Sequence, residues 1–177
     1  SSSAASDVYK RQVEEGVIPR HVTHNDTKIS NFLFDRRGNV LCVIDLDTVM
    51  NSTSLNDFGD AIRTYANTGA EDDRDLARVG MSMEFFTAYT DGYLSQHARE
   101  LSEAERAYLA FSARYITYEQ VLRFLMDYLD GDTYYKIRSA DHNLVRTRAQ
   151  YRLLRSMEEQ YGAMCEAVRE LNAKYNR

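Results

Sequence analysis

Tryptophan is absent from this 177-residue chain, proline occurs once, and cysteine twice. Two cysteines far apart in the sequence, Cys42 and Cys165, exclude a disulfide framework. Each lies in an apolar segment and reads as a small core residue in a reducing compartment, which predicts a cytoplasmic protein. With one proline and eight glycines, turn signals are sparse, which favours long helices. No apolar run is long enough to span a bilayer, and no charged-then-apolar leader opens the chain, so neither membrane association nor secretion is expected. Basic residues are outnumbered, 22 Lys and Arg against 27 Asp and Glu, for a net charge of −5. That balance argues against a nucleic-acid partner, which needs an excess of phosphate-neutralising side chains. The chain does have 44% apolar residues and thirteen tyrosines, enough for one domain with a sizeable core.

Residues 1–12, SSSAASDVYKRQ, carry no hydrophobic period and are expected to be a disordered or artefactual tail, leaving 13–177 as the domain. One β-rich stretch follows. Phe32-Leu33-Phe34 and the run Val40-Leu41-Cys42-Val43-Ile44 flank a turn at Asp35–Asn39, in which Gly38 can take positive φ. This predicts a hairpin whose second strand, lacking alternation, is buried on both faces.

Beyond Asp47 the pattern is helical. Ser54 with Asp57 reads as a capping box, and a helix is predicted over 82–96. Ser102 with Glu105 is a second box. It opens a long helix with an apolar stripe through Tyr108, Phe111, Tyr115, Tyr118, Leu122, Leu125 and Leu129, stopped by Gly131. A further amphipathic run covers 144–175. The stripes are read as core faces. His97 and His142 are expected at the surface, and Glu71-Asp72-Asp73-Arg74-Asp75 as a solvated loop. The fold class is therefore α+β, predominantly α-helical, with a small hairpin.

The chemistry concentrates before and after that hairpin. His24-Asn25-Asp26-Thr27-Lys28-Ile29-Ser30-Asn31 precedes it and Asp45 follows it. A turn centred near Gly38 would place Asn31 opposite Asp45, because facing residues of an antiparallel pair keep a constant register. One amide oxygen and one carboxylate on adjoining strand ends make a small hard-oxygen site suited to Mg²⁺, with Asp47 as a second carboxylate. Asp26, on the loop just before, is then free to orient a hydroxyl nucleophile. A zinc site built from His21, His24 and Cys42 lacks a fourth ligand and is set aside.

This constellation resembles the HxDxxxxN catalytic loop of the protein-kinase-like superfamily, with Asp26 as the catalytic Asp, Lys28 meeting the transferring phosphate, and Asn31 and Asp45 holding the metal. Asp57-Phe58-Gly59 imitates the protein-kinase metal tripeptide, but it sits at a helix start rather than after a strand. No Ala-Pro-Glu motif follows. The segment is instead similar to the aminoglycoside phosphotransferase and choline kinase branch. More narrowly, HNDTKISN, VIDLDTVM, DFGDAIRT and RFLMDYLDGDTYYK resemble N-acetylhexosamine 1-kinases.

The resemblance implies the C-terminal lobe of a protein-kinase-like fold and transfer of the ATP γ-phosphate to an amino-sugar hydroxyl. It implies ATP and Mg²⁺ as co-substrate and cofactor, His24 and Asp57 bracing the loop, and Arg123 and Tyr134 contacting the sugar. Choline, ethanolamine, homoserine and aminoglycoside kinases are the alternatives, as is a non-catalytic kinase-like scaffold. No glycine-rich phosphate loop and no strand bearing a nucleotide lysine is found upstream of His21. The ATP-clamping N-terminal lobe is therefore expected to be missing and this chain, by itself, to be inactive.

Overall fold

The computed structural model describes residues 2–175. It is mainly helical: α1 (Ser2–Glu14), α2 (Ser54–Tyr65), α3 (Met83–His97), α4 (Glu103–Leu129), α5 (His142–Glu159) and α6 (Tyr161–Tyr175). Two short antiparallel ladders sit beside them. One pairs β1 (His21–Thr23) with β4 (Met50–Ser52); the other is the hairpin β2 (Phe32–Phe34) and β3 (Val40–Val43). The α+β class is as expected. Among the described residues, no helix is long and apolar enough to cross a membrane.

Side chains cap the starts of α3 and α4 but not those of α2 and α5. The Ser102 hydroxyl accepts from the Glu105 amide while the Glu105 carboxylate accepts from the Ser102 amide, a complete capping box. Ser82 caps α3 through the amide of Phe85. At α2 the expected box does not form. Thr53 is the N-cap residue and makes no side-chain cap bond, its hydroxyl being paired with that of Tyr9, while Ser54 and Asp57 are engaged by distant partners.

The core joins Leu55, Phe58 and Ile62 of α2, Phe86 and Leu94 of α3, Leu109 and Ala113 of α4, Leu153 and Met157 of α5, and Met164 and Val168 of α6. Phe58 anchors an aromatic group, with Tyr93 at 5.1 Å, Tyr89 at 5.8 Å and Phe86 edge-on at 6.5 Å. At Gly59 helices α2 and α4 come into close contact: a Cβ there would lie 2.6 Å from Ile116 Cγ1 and 2.7 Å from the Ser112 carbonyl oxygen. The single amphipathic run expected over 144–175 is two helices, α5 and α6, broken at Gln160.

Several expectations change. The unstructured tail expected over 1–12 gives way to α1, while Ser1 lies outside the described residues. Tyr9 is buried against Tyr108, Phe111 and Tyr115, and its hydroxyl is 3.0 Å from Thr53 Oγ1. One long-range aromatic anchor thus orders a segment that has no hydrophobic period of its own. The α4 stripe is core only as far as Tyr115. Beyond it the buried face is Thr117, Val121 and Phe124, while Tyr118, Leu122 and Leu129 are exposed. β3 is exposed along its length rather than buried on both faces, since nothing among the described residues covers the hairpin. Cys42 and Cys165 are exposed too. His142 is buried, with Nε2 2.9 Å from Asp72 Oδ2, so the acidic 71–75 segment is a clasp rather than a free loop. Arg74 with Asp141 and Arg63 with Glu71 complete it.

Candidate active site

Three elements meet at residues 24–31. β1 leads into the segment, its end closed by the Thr23 hydroxyl donating to the Met50 carbonyl. The β4 side adds the Thr48 hydroxyl, which donates to the His24 carbonyl at 2.6 Å, and the Thr48 carbonyl, which accepts from the Asn25 side chain at 3.1 Å. From α2, Asp57 takes the backbone amides of His24 at 2.8 Å and Asn25 at 2.6 Å on its two carboxylate oxygens, while its own carbonyl accepts from the Thr27 hydroxyl. Burial pushes the Asp57 carboxyl above the usual range, against the pull of those two amides. Asn25 is held at φ 61°, a left-handed conformation that Asn tolerates better than most residues. The His24 ring donates from Nε2 to the Ile44 carbonyl at 3.1 Å, since a carbonyl can only accept. The loop is thereby tied to the far end of the hairpin.

Asp26 is the focus of the loop. Its Oδ2 accepts from the Lys28 ammonium at 2.7 Å and from the Asn31 amide nitrogen at 2.9 Å. Asn31 also donates to the Asp26 carbonyl at 2.9 Å. Both partners of the Asn31 nitrogen are acceptors, so the amide orientation is chemically forced and its Oδ1 faces the other way. Asp26 Oδ1 accepts no hydrogen bond among the described residues. Burial works against the Lys28 charge, but the hydrogen bond to Asp26 and the charges of Asp26, Asp45 and Glu71 outweigh it and raise its pKa.

The hairpin register differs by one residue from expectation. Asp35 and Asn39 close the turn, centring it on Arg37 rather than Gly38, and a bulge after Val40 recovers only part of the offset. Asn31 therefore faces Ile44, whose amide donates to the Asn31 carbonyl at 2.9 Å, and Asp45 follows one residue on. Asp45 takes a left-handed φ of 62° at the start of a 3-10 turn over Leu46–Thr48. Its carboxylate makes no protein hydrogen bond among the described residues. Asp47 lies exposed in the same turn. An amide oxygen and a carboxylate, the donors that Asn31 and Asp45 carry, are of the type a small hard cation takes, the rest of its shell being water and phosphate oxygens. A closed protein cage is not on offer: among the described residues no group of three or more His, Cys, Asp or Glu could hold a metal ion.

A model of the phosphotransferase enzyme family (APH) matches residues 6–110, more than half of the chain. The chain belongs to this family. It is a phosphotransferase of the aminoglycoside phosphotransferase and kinase-like superfamily, and residues 24–31, the hairpin and Asp57 all fall within the matched part.

Of the other residues expected in the phosphotransferase site, Arg123 is exposed on α4 and makes no ion pair or hydrogen bond among the described residues. Tyr134 is 75% exposed in the segment after α4, with its ring edge-on to Tyr135 at 4.8 Å. That segment is anchored by Asp127, whose carboxylate takes the amides of Tyr134 and Tyr135 and the side chain of Asn143. Burial opposes the Asp127 charge, but these donors hold its carboxyl below the usual range. Neither Arg123 nor Tyr134 is hydrogen-bonded to the catalytic loop.

The sequence reading missed a buried charge cluster on α2. Arg63, 5% exposed, donates to Asp60 at 2.8 Å, to Glu71 at 2.6 Å and to Gln150 at 3.3 Å. Burial works against its charge, and the two carboxylates outweigh it. The cluster joins α2 and α5 to the 71–75 clasp. Its members come from α2, a loop and α5, and no spacing in the sequence announces such a group.

Proposed function

We propose that this phosphotransferase transfers the γ-phosphate of ATP to a hydroxyl of an N-acetylhexosamine. The observation that carries the reading is the state of Asp26. One of its oxygens is saturated by Lys28 and Asn31, and the other is left to accept. A carboxylate held in this way can take the hydrogen bond of an attacking hydroxyl and aim its lone pair at phosphorus. Lys28, 2.7 Å away, can turn from Asp26 to the transferring phosphoryl oxygens and stabilise their charge. Asn31 and Asp45, with Asp47 as a further carboxylate, would hold Mg²⁺. When bound, such an ion would supply neutralisation of phosphate charge. His24 and Asp57 keep the loop in register. Arg123 and Tyr134 are assigned to the sugar hydroxyls, on the strength of the family resemblance alone.

The exposed apolar hairpin, with Leu33, Phe34, Val40, Leu41, Val43 and Ile44 all open to solvent, supports one further part of the proposal. It offers one wall for a nucleotide base, and an N-terminal lobe supplies the other. The 177 residues alone should then bind Mg·ATP weakly and turn over nothing. The test is phosphorylation of GlcNAc, GalNAc, choline, homoserine and kanamycin by the two-lobed protein, with isothermal titration of the isolated chain against Mg·ATP. Turnover of choline alone would reject the sugar assignment. Robust turnover by the isolated chain would reject the need for a second lobe.

A further inference from the structure

Glu105 has no solvent exposure, yet its carboxylate is fully engaged by three donors from three parts of the chain. Oε2 accepts from the Ser102 amide at 2.8 Å, which is its role in the capping box of α4. Oε1 is turned the other way. It takes the Ser54 hydroxyl at 2.6 Å, at the first residue of α2, and His21 Nε2 at 2.8 Å, at the first residue of β1. A helix cap requires only the first of these contacts. The other two join segments far away in the sequence and bring a carboxylate fully inside the protein, which is tolerated only with such donors.

The two partners are placed with regard to the catalytic loop. His21 stands three residues before His24, and Ser54 three residues before Asp57. His24 and Asp57 are themselves joined, through the His24 amide and Asp57 Oδ2. The β1 strand and the N-terminal turn of α2 are thus clamped together twice, by Asp57 at the loop and by Glu105 three residues upstream on both. Between the clamps, β1 pairs with β4 over three residues, and His21 itself faces Ser52. The loop reaches Asp26 two residues after His24, so any slip of β1 along α2 moves the catalytic carboxylate.

We propose that Glu105 is a positioning residue for the catalytic loop, acting through His21 and Ser54 to fix β1 against α2 and so to set where Asp26 stands. Its catalytic consequence rests on the assignment of Asp26, whereas the structural coupling does not and can be read in the chain without turnover. The carboxylate has two separable duties. The Oε2 contact starts α4, and the Oε1 contacts hold the loop. Ser102→Ala removes the other half of the capping box, the hydroxyl that accepts from the Glu105 amide, and leaves every contact of the Glu105 carboxylate in place, so it weakens the start of α4 alone. Replacing the carboxylate by an amide keeps an oxygen for the cap, since Gln serves in a capping box as Glu does, but removes the charge and sets an N–H group where His21 and Ser54 donate, so both must give up donation and turn to accept.

The test is residue-resolved hydrogen exchange by NMR on the purified 177-residue chain and on Glu105→Gln, Ser54→Ala and Ser102→Ala, with thermal melts of each. Glu105→Gln and Ser54→Ala should speed exchange of the His24 and Asn25 amides by about 10-fold, the effect of losing one hydrogen bond to a buried charge. Ser102→Ala should lower the melting temperature while leaving those two amides at the wild-type rate. If Ser102→Ala speeds them as much as Glu105→Gln does, Glu105 is a helix cap and nothing more. Unchanged exchange in Glu105→Gln would likewise overturn the proposal. Both results can be obtained whether or not a sugar is the substrate, so failure here and failure of the functional assignment are distinguishable.

Discussion

Asp57 is the place to test how the segment over residues 24–31 is held. Its two carboxylate oxygens accept the backbone amides of His24 and Asn25 at 2.8 and 2.6 Å. Asp57→Ala leaves both part-buried amides without a partner, while Asp57→Asn keeps one acceptor and turns an N–H group on the other amide. Each hydrogen bond to a charged group contributes about 1.5–3 kcal/mol, and the gain from no longer burying the carboxylate offsets part of the loss. We expect Asp57→Ala to destabilise by about 2–4 kcal/mol and Asp57→Asn by about half of that. For a domain of this size, about 3 °C per kcal/mol gives a fall in melting temperature of about 6–12 °C for alanine.

The pH dependence carries an independent sign. Burial raises the Asp57 carboxyl in the folded state, so its contribution to stability is fully present below the unfolded-state pKa and is lost as pH rises through the folded-state value. Asparagine has no such dependence. The stability gap between the wild type and Asp57→Asn should therefore narrow as pH rises from the acid range toward neutral. Calorimetric or circular-dichroism melts of the three proteins across that range are the assay. An alanine variant melting within a degree of wild type, or a gap that widens with rising pH, would refute the reasoning.

Three further predictions concern the site and its frame. If the proposed second lobe is supplied, Asp26→Asn and Asp45→Asn should each lower kcat by at least about 100-fold, with Asp45→Asn also weakening Mg·ATP binding in a titration. Gly59→Ala should lower the melting temperature by about 3–9 °C, because the new Cβ would meet Ile116 Cγ1 at 2.6 Å and the Ser112 backbone at 2.7 Å, and the overpacking of α2 on α4 costs about 1–3 kcal/mol. Tyr9→Ala should free α1 from Tyr108, Phe111 and Tyr115, with a loss of about 3–5 kcal/mol and rapid cleavage of residues 2–14 in limited proteolysis.

The sequence by itself determined what is local. Ser102 and Glu105 cap one helix, Ser82 another, and the turn at Asp35–Asn39 is set by Asp35 accepting from the amides of Arg37 and Asn39. His24, Asp26, Lys28 and Asn31 stand in one short segment and could be read there together, whereas the register could not: a turn centred one residue away sets Asn31 opposite Ile44 and leaves Asp45 one residue on. Tertiary structure decided whatever depends on partners distant in sequence. A β-branched run such as Val40–Ile44 reads as buried, but burial needs a covering element, and none lies over it among the described residues. The α4 stripe specifies an apolar face, while the packing of α2 and α5 decides that Thr117, Val121 and Phe124, not Tyr118 and Leu122, are turned inward. Ser54 and Asp57 carry the spacing of a helix cap, yet Glu105 and the catalytic-loop amides compete for them and win. A periodic pattern states which groups seek burial or a donor; only the assembled chain determines which partner reaches them, because the free energy of that contact lies in geometry that no short window of sequence contains.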